Sequence, residues 1–535
     1  MEHRLPPVEA RTLRAAYERV LARCPDEVAQ ADEAGSVTFA QSYQRSLRLA
    51  AGFGAHGVGH QEPAALLCDN SLDAVHAWSG LGLGGMVEVP VNTAYKGDFL
   101  THVLNDSGAG LIVIEDHYAG RLAEVAQDLT ALRTVVVRGD ASAAVAELGG
   151  RFRVLPLGEL QSHGTAAPAP GDAGELMAYM YTSGTTGRSK GVLISHAHAY
   201  TYGSREHQAR PRAGDRILVT LPIFHLAGQW YGVYQGIIHG LFCYVAAGFS
   251  VSRFWDTVRA QDITVTVMLG AVAELLQQQP PRPDDADNPL EFAAMAPLPS
   301  DVRGFCRRFG LQGAAVYGMS EIGAVLDGPP ETVVGGEAGF PRQEYELRVV
   351  DCSGADVAAG EIGELWVRPA DPRLVMRGYH NLPVQTAQTL VDGWVHTGDA
   401  FRVDADGRFY FADRMKDALR RRGENISSFE VERVINSHPA VFESAVVGVP
   451  SDLTEDEIKA VVVLRSGCEA DPLELTEFLV GKLPYFMVPR YLEFAAELPK
   501  TPTQKVHKHL LRKTGAGPDV WDREAAGIVL RRSSQ

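Results

Sequence analysis

Residues 181–192 read YTSGTTGRSKGV. Hydroxyls (Thr182, Ser183, Thr185, Thr186), glycines (Gly184, Gly187, Gly191) and two cations, Arg188 and Lys190, crowd into this one stretch. Hydroxyls and backbone amides of that kind cradle phosphate oxygens, and a lysine adds charge. The common phosphate loop has the spacing G-x-x-x-x-G-K-[ST]. Here Ser189 stands where its second glycine would fall, and Gly191 rather than Ser or Thr follows Lys190. The loop follows the apolar strand LMAYMY (176–181) and precedes GVLISH (191–196).

Outward from the loop, short apolar runs alternate with helical patterns. AALLC (64–68), LIVIE (111–115), TVVVR (134–138), RILVT (216–220), LFCYVAA (241–247) and TVTVML (264–269) read as strands. LDAVHAWSGL (72–81), HYAGRLAEVAQDL (117–129) and VSRFWDTVRAQD (251–262) read as helices between them. Continuously apolar strands alternating with helices imply parallel sheets covered on both faces, an α/β fold. Residues 160–172 and 279–289, rich in Pro, Gly and Asp, are loops. YELRVVD (345–351), GELWVRP (363–369) and GRFYFADR (407–414) predict a smaller β-rich unit. After Asp413 a shorter α/β segment follows. Its first helix, SSFEVERVINSHPA (427–440), has a serine N-terminal signal and an apolar face at Val431, Val434 and Ile435. ESAVVGVP (443–450) and IKAVVVLR (458–465) are strands, PLELTEFLVGKL (472–483) is a second amphipathic helix, and residues 514–535 read as a loose tail.

At 535 residues the chain is too long for one ordinary core. A formal net charge of −16 argues against nucleic-acid or anionic-membrane binding. The six cysteines include no C-x-x-C pair, which argues against a disulfide framework or structural zinc and fits a reducing cytoplasm. The first twenty residues, MEHRLPPVEARTLRAAYERV, lack the apolar core of a signal peptide. From Trp230 to Val251 there is no Asp, Glu, Lys or Arg, and Gly228, Gly232, Gly236 and Gly240 recur at every fourth position. Gln235 and His239 interrupt that run, so it predicts a buried helix packed through its glycine face and ended by Gly240, not a membrane span. The pairs His196/His198 and His507/His509 do not have convincing metal-ligand spacing.

TSGTTGRSKG resembles the phosphate-binding signature of the adenylate-forming superfamily, which includes acyl-CoA synthetases, firefly luciferase and peptide-synthetase adenylation domains. PIFH (222–225), YGMSE (317–321), GELWVRP (363–369), HTGD (396–399), DRMKDALRRRGENISSFEVE (413–432) and PKTPTQKV (499–506) follow in the family's order. VEVPVNTAYKGDFL (87–100) and RRRGENISSFEVE are similar to the crotonobetaine/carnitine–CoA ligase group. The resemblance implies a large N-terminal domain, residues 1–412, of two α/β subdomains and a small β-rich one. A smaller mobile α+β domain, residues 413–535, follows it. It implies a two-step reaction: a carboxylate attacks the α-phosphate of ATP, releasing pyrophosphate, and the thiol of CoA then displaces AMP.

Residue by residue, the resemblance implies that Thr182, Ser183, Gly184, Thr185, Thr186 and Lys190 embrace the ATP phosphates. Ser320 touches the α-phosphate region, and Glu321 helps hold Mg²⁺. Asp399 accepts from both ribose hydroxyls, and Arg414 contacts ribose or phosphate. Tyr317, Gly318, Met319 and Phe411 complete the AMP site. Lys505 reaches the carboxylate and α-phosphate oxygens and stabilises the adenylation transition state. Lys416 occupies the hinge, and Gly423 lines the CoA thiol tunnel, with Arg420, Arg421 and Arg422 near it. His225 matches the aromatic gate of the acyl pocket, shaped by Gly228, Gln229, Trp230, Val267, Ala296, Val316, Gly318 and Ile322, a mainly apolar set that suits an apolar acid.

The chain departs from the family pattern at three points. Arg188 replaces a frequent proline, and Gln504 stands where glycine is usual. Met295-Ala296-Pro297 takes the place of the glycine-containing adenine turn. LPIFHLAGQWYG (221–232) has no Asp or Glu to bind an α-amino group, which favours a plain carboxylic acid. Three alternatives stay open: loading of a carrier protein, thioester formation from a preformed acyl adenylate, and nucleotide or acyl binding without catalysis. Expected partners are therefore a carboxylic acid or acyl adenylate and CoA, with a homodimer as a possible assembly.

Overall fold

The computed structural model describes residues 5–169, 171–182, 188–204, 210–329, 333, 335–415, 419–421, 424–426, 428–450, 456–485, 487–500, 506–513, 517, 520–528 and 530. The chain forms two compact units. One comprises Met1–Glu346 with Val367–Val395, the other Leu347–Trp366 with His396–Gln535. These units divide the chain at points other than 412/413, because residues 347–366 and 396–412 group with the C-terminal segment.

The first unit contains two large sheets among its described residues. A seven-stranded sheet runs in the order 153–156, 134–138, 111–115, 63–67, 87–90, 176–182 and 190–195. Its neighbours are parallel except the last pair, which is antiparallel. A nine-stranded sheet has a parallel centre made by 292–295, 265–268, 216–219 and 242–245. The central strands Leu111–Glu115 and Val265–Met268 are buried along their whole length, as sheets covered on both faces require. Helix Leu72–Leu83 starts where Ser71 Oγ accepts the Ala74 N–H at 3.3 Å, and every residue in it but Asp73 is buried. A Cβ at Gly80 would lie 2.7 Å from Ser46 O, so a glycine lets this helix press against helix Phe39–Ala55.

The glycine-spaced run is a buried helical segment: α at Leu226–Gly228, π at Gln229–Tyr234 and α at Gln235–His239. A Cβ at Gly228 would meet Pro222 O at 2.4 Å, and one at Gly232 would meet Val219 Cγ2 at 2.6 Å. Gly240 ends the segment with φ +69°. No described helix is long and apolar enough to cross a membrane.

In the second unit, a four-stranded sheet runs in the order Val441–Pro450, Asp456–Leu464, Tyr491–Phe494 and Trp521–Asp522. Helices Ser428–Asn436 and Pro472–Val480 share a core with it, built from Val431, Ile435, Leu475 and Leu479 against Val446, Ile458 and Val462. Strand Phe409–Arg414 pairs antiparallel with Asp399–Val403. Residues 520–528 correct part of the reading of 514–535 as a loose tail. Trp521 pairs with Leu492, Asp522 Oδ2 accepts from Arg490 at 2.9 Å, and Arg523 is 1% exposed. A two-residue strand is too short to show a period; it is anchored by the Arg490–Asp522 ion pair and by Trp521 packed against the core of the sheet.

Candidate active site

The phosphate-type loop is held at its base by an antiparallel pair. Thr182 sits opposite Lys190 and Tyr181 opposite Gly191. Ser183, Gly184, Thr185 and Thr186 lie outside the described residues. Tyr181 donates its hydroxyl to Asp106 Oδ2 at 2.7 Å, and His102 Nε2 lies 2.8 Å from the Ser189 carbonyl. Both partners come from helix Gly97–Ser107, so one helix fixes the two ends of the loop. Along the exit strand runs the segment 376–380. The Arg377 N–H donates to Leu193 O, Leu193 N–H to Gly378 O, and His380 N–H to Gly191 O, at 2.8–2.9 Å. A Cβ at Gly191 would lie 3.0 Å from the Tyr181 ring, which would have to shift by a few tenths of an ångström to admit it.

This lacing brings three side chains together. Lys190 Nζ lies 4.6 Å from the centre of the Tyr379 ring, within cation–π range. The Tyr379 hydroxyl donates to Glu321 Oε1 at 3.0 Å. The backbone carbonyl of Glu321 accepts from Met376 N–H at 2.9 Å, and Ser320 and Glu321 are each 8% exposed. Ser320–Ile322 form the turn between strands Gln312–Met319 and Gly323–Asp327, where Met319 pairs with Gly323 and Gly318 with Ala324. A Cβ at Gly318 would lie 2.3 Å from Gly323 O, and Gly323 has φ +79°. The turn that carries the carboxylate therefore depends on two glycines. Tyr317 and Met319 flank it, half-buried. Nothing in the sequence singled out Tyr379, one of 17 tyrosines.

The positions expected to shape the acyl pocket divide by burial. His225 is exposed at the start of the glycine-rich segment; Gln229 and Trp230 are buried at 2% and 0%. Gln229 Nε2 lies 2.8 Å from both carboxyl oxygens of Glu88. Burial pushes the Glu88 carboxyl up to about 8, partly opposed by that hydrogen bond, so the group is mostly protonated at neutral pH. A lone Glu in the apolar run VEVP was the sequence signal for it. Val267 pairs with Ala294, Met295 is wholly buried in the core, Ala296 is half-buried and Pro297 exposed. Val316 is half-buried and Ile322 buried.

The second unit carries the other expected residues. Asp399 is 1% exposed in the HTGD stretch of strand Trp394–Val403. Its N–H donates to Thr397 Oγ1 at 3.1 Å, Thr397 Oγ1 donates to Leu365 O at 2.7 Å, and Gly398 N–H donates to Glu364 Oε1 at 2.9 Å. Asp399 is the register partner of Arg414, and Phe411 meets the Phe401 and Phe429 rings edge-on at 5.6 and 5.8 Å. The Arg414 side chain, Lys416, Gly423 and Lys505 lie outside the described residues. On one flank of Lys505, Val506 bridges Lys500, and Lys508 Nζ lies 2.8 Å from Glu432 Oε1.

Among the described residues, no group of three or more His, Cys, Asp or Glu is arranged to hold a metal ion. Burial lowers the His196 and His198 rings to about 4 and 3, so both are neutral. Glu321, joined through Tyr379 to the loop cation Lys190, is a different donor set: one hard carboxylate. It suits Mg²⁺, which commonly takes one or two protein carboxylates and completes its shell with phosphate oxygens and water.

Two family models match the chain in order: AMP-binding enzyme over residues 17–380, and AMP-binding enzyme C-terminal domain over 430–505. The fatty acid–[acyl-carrier-protein] ligase of Streptomyces coeruleorubidus is 31% identical over 500 residues, covering 90% of this chain and 92% of that one. The crotonobetaine/carnitine–CoA ligase of Salmonella typhi is 29% identical over 471 residues, covering 85% and 89%. Among solved structures, O-succinylbenzoate coenzyme A synthetase from Bacillus subtilis in complex with AMP superposes with a TM-score of 0.80 at 25% identity, covering 93% and 98%. The same enzyme has also been solved with ATP and a magnesium ion. Signatures, fold and both family models agree: the chain belongs to the AMP-binding enzyme family and is an adenylate-forming acid–thiol ligase.

Proposed function

We propose that the protein joins a carboxylic acid to coenzyme A in two steps on one chain. In the first, a carboxylate oxygen attacks the α-phosphorus of ATP, the bond to the β-phosphate oxygen breaks, and pyrophosphate leaves. In the second, the CoA thiol attacks the acyl carbon, loses its proton, and AMP leaves. The observation that carries this reading is the grouping of Lys190 and Glu321 on one tyrosine beside the glycine-rich loop.

In this reading Lys190 and the hydroxyls of Thr182, Ser183, Thr185 and Thr186 hold the phosphates, and Ser320 sits near the α-phosphate. Glu321 holds Mg²⁺, which when bound offsets the repulsion between the two anions of the first step. Lys505 stabilises the charge that develops on the α-phosphate oxygens. Asp399 and Arg414 hold the ribose. Tyr317, Gly318, Met319, Phe411, Ala296 and Pro297 surround the base, with Met295 buried in the core, and His225 gates the acid. Residues 413–535 act as a mobile domain that turns about Lys416 between the steps and brings Gly423 to the thiol. The six thiols, all unpaired, suit a reducing cytoplasm. A homodimer is the assembly to test by sedimentation.

The acceptor has a second reading. A relative 31% identical over 90% of the chain is a fatty acid–[acyl-carrier-protein] ligase. Both readings are tested by supplying ATP and a panel of carboxylic acids with either CoA or a phosphopantetheinylated carrier protein. The proposal expects thioester on CoA. Thioester on the carrier alone selects the second reading, and AMP production with neither acceptor used overturns both.

A further inference from the structure

One side chain touches both the loop cation and the candidate metal carboxylate. The face of the Tyr379 ring meets Lys190 Nζ at 4.6 Å, and its hydroxyl donates to Glu321 Oε1 at 3.0 Å. Tyr379 is itself fixed. It bridges Val192 in antiparallel fashion, its N–H donates to Thr386 Oγ1 at 2.9 Å, and only 8% of it is exposed. Thr386 Oγ1 in turn donates to Leu382 O at 2.9 Å. A Cβ at residue 378 would lie 2.7 Å from Thr386 Cγ2, so the glycine before the tyrosine lets that threonine close on it. The preceding turn of chain hydrogen-bonds to the Glu321 backbone through Met376 N–H.

An ammonium and a carboxylate held near each other with little water tend to pair directly, and a direct pair would neutralise the two charges a nucleotide and its metal need. An aromatic ring offers the ammonium a weaker, non-neutralising seat, and a phenol satisfies one carboxylate oxygen while leaving the carboxylate's charge in place. We propose that Tyr379 is a positioning residue that keeps Lys190 and Glu321 apart and at a fixed spacing, so that the triphosphate and its metal ion are bound as one unit. This rests on the reading of Lys190 as a phosphate contact and Glu321 as a metal contact.

The test is calorimetric titration of ATP into the full chain, with Mg²⁺ and with chelator, in the absence of acid and acceptor thiol. Tyr379→Phe keeps the ring and loses the hydroxyl. It should weaken ATP binding about tenfold in Mg²⁺, the cost of one hydrogen bond to a charged group, and less than twofold in chelator. Tyr379→Leu loses both contacts and should weaken binding in both conditions. Unchanged Mg²⁺-dependent affinity in Tyr379→Phe overturns the proposal. So does equal weakening by Tyr379→Phe with and without metal, the result of a merely structural role. Two controls test the underlying reading: Glu321→Gln should abolish the gain from Mg²⁺, and Lys190→Ala should weaken ATP in both conditions. If either control behaves like wild type, the site reading fails and takes the proposal with it. If both behave as expected and Tyr379→Phe does not, the proposal alone fails.

Discussion

Glu88 and Tyr379 are joined to the site by partners far away in the chain: Gln229 is 141 residues from Glu88, and Glu321 is 58 residues from Tyr379. Lys190, Glu321, Asp399 and Lys505 could be singled out from the sequence because each sits in a short string whose chemistry is local. A tyrosine that works through a contact across the fold leaves no such string. Glu88 also carries a measurable consequence. Its carboxyl is raised to about 8 from an ordinary 4.5, so between those values the folded state binds the proton more tightly than the unfolded state. Stability therefore falls as pH rises from about 4.5 to 8, and then levels off. Glu88→Gln keeps the amide-to-Gln229 contact possible and removes the ionisation. The melting temperature of wild type should drop relative to Glu88→Gln between pH 5 and 8; parallel curves would contradict the buried neutral acid.

At the scale of elements, strands buried on both faces were legible as apolar runs, and Gly240 was legible as a helix stop. The glycine face was legible too, because the period-four glycines mark a close approach. Three features were not. The π turn at Gln229–Tyr234 is a local widening with no sequence period of its own. HYAGRLAEVAQDL reads as one helix but is split into 3₁₀, α and 3₁₀ pieces at 116–118, 119–125 and 126–128. The Trp521–Asp522 strand is set by its partner strand. The glycine face makes a direct prediction. A methyl at residue 232 would sit 2.6 Å from Val219 Cγ2. Gly232→Ala should destabilise the protein by about 1–3 kcal/mol through overpacking. Adding Val219→Ala should recover part of that loss, because the two sites share one contact. Denaturant unfolding of the single and double variants checks it; an additive double variant would contradict the packing account.

For the whole molecule, the signatures gave the order of the parts but not where the compact units divide. The sequence reads as contiguous blocks with a boundary at 412/413, whereas each compact unit is assembled from two separate segments. Charge burial also acts at this scale. His76, His196 and His198 are buried, and burial lowers them from 6.5 to about 4, 4 and 3. Below pH 6.5 the unfolded chain binds protons these rings refuse in the folded state, so their contribution is complete above that pH and is lost as pH falls toward 4. In thermal melts, wild type should lose stability relative to His198→Asn as pH falls from about 6.5 to 4; parallel curves would contradict the buried neutral ring.

The central claim is that one chain performs both half-reactions with different groups. The most direct measurement follows the two halves separately on wild type and Lys505→Ala: pyrophosphate release from ATP and acid, and thioester formation from a supplied acyl adenylate and CoA. Wild type should perform both. Lys505→Ala should lose about a hundredfold or more in pyrophosphate release, as expected for removing a group that stabilises developing charge, while thioester formation stays within a few-fold. Thioester formation by wild type without any pyrophosphate release, or equal loss of both halves in Lys505→Ala, would contradict the account.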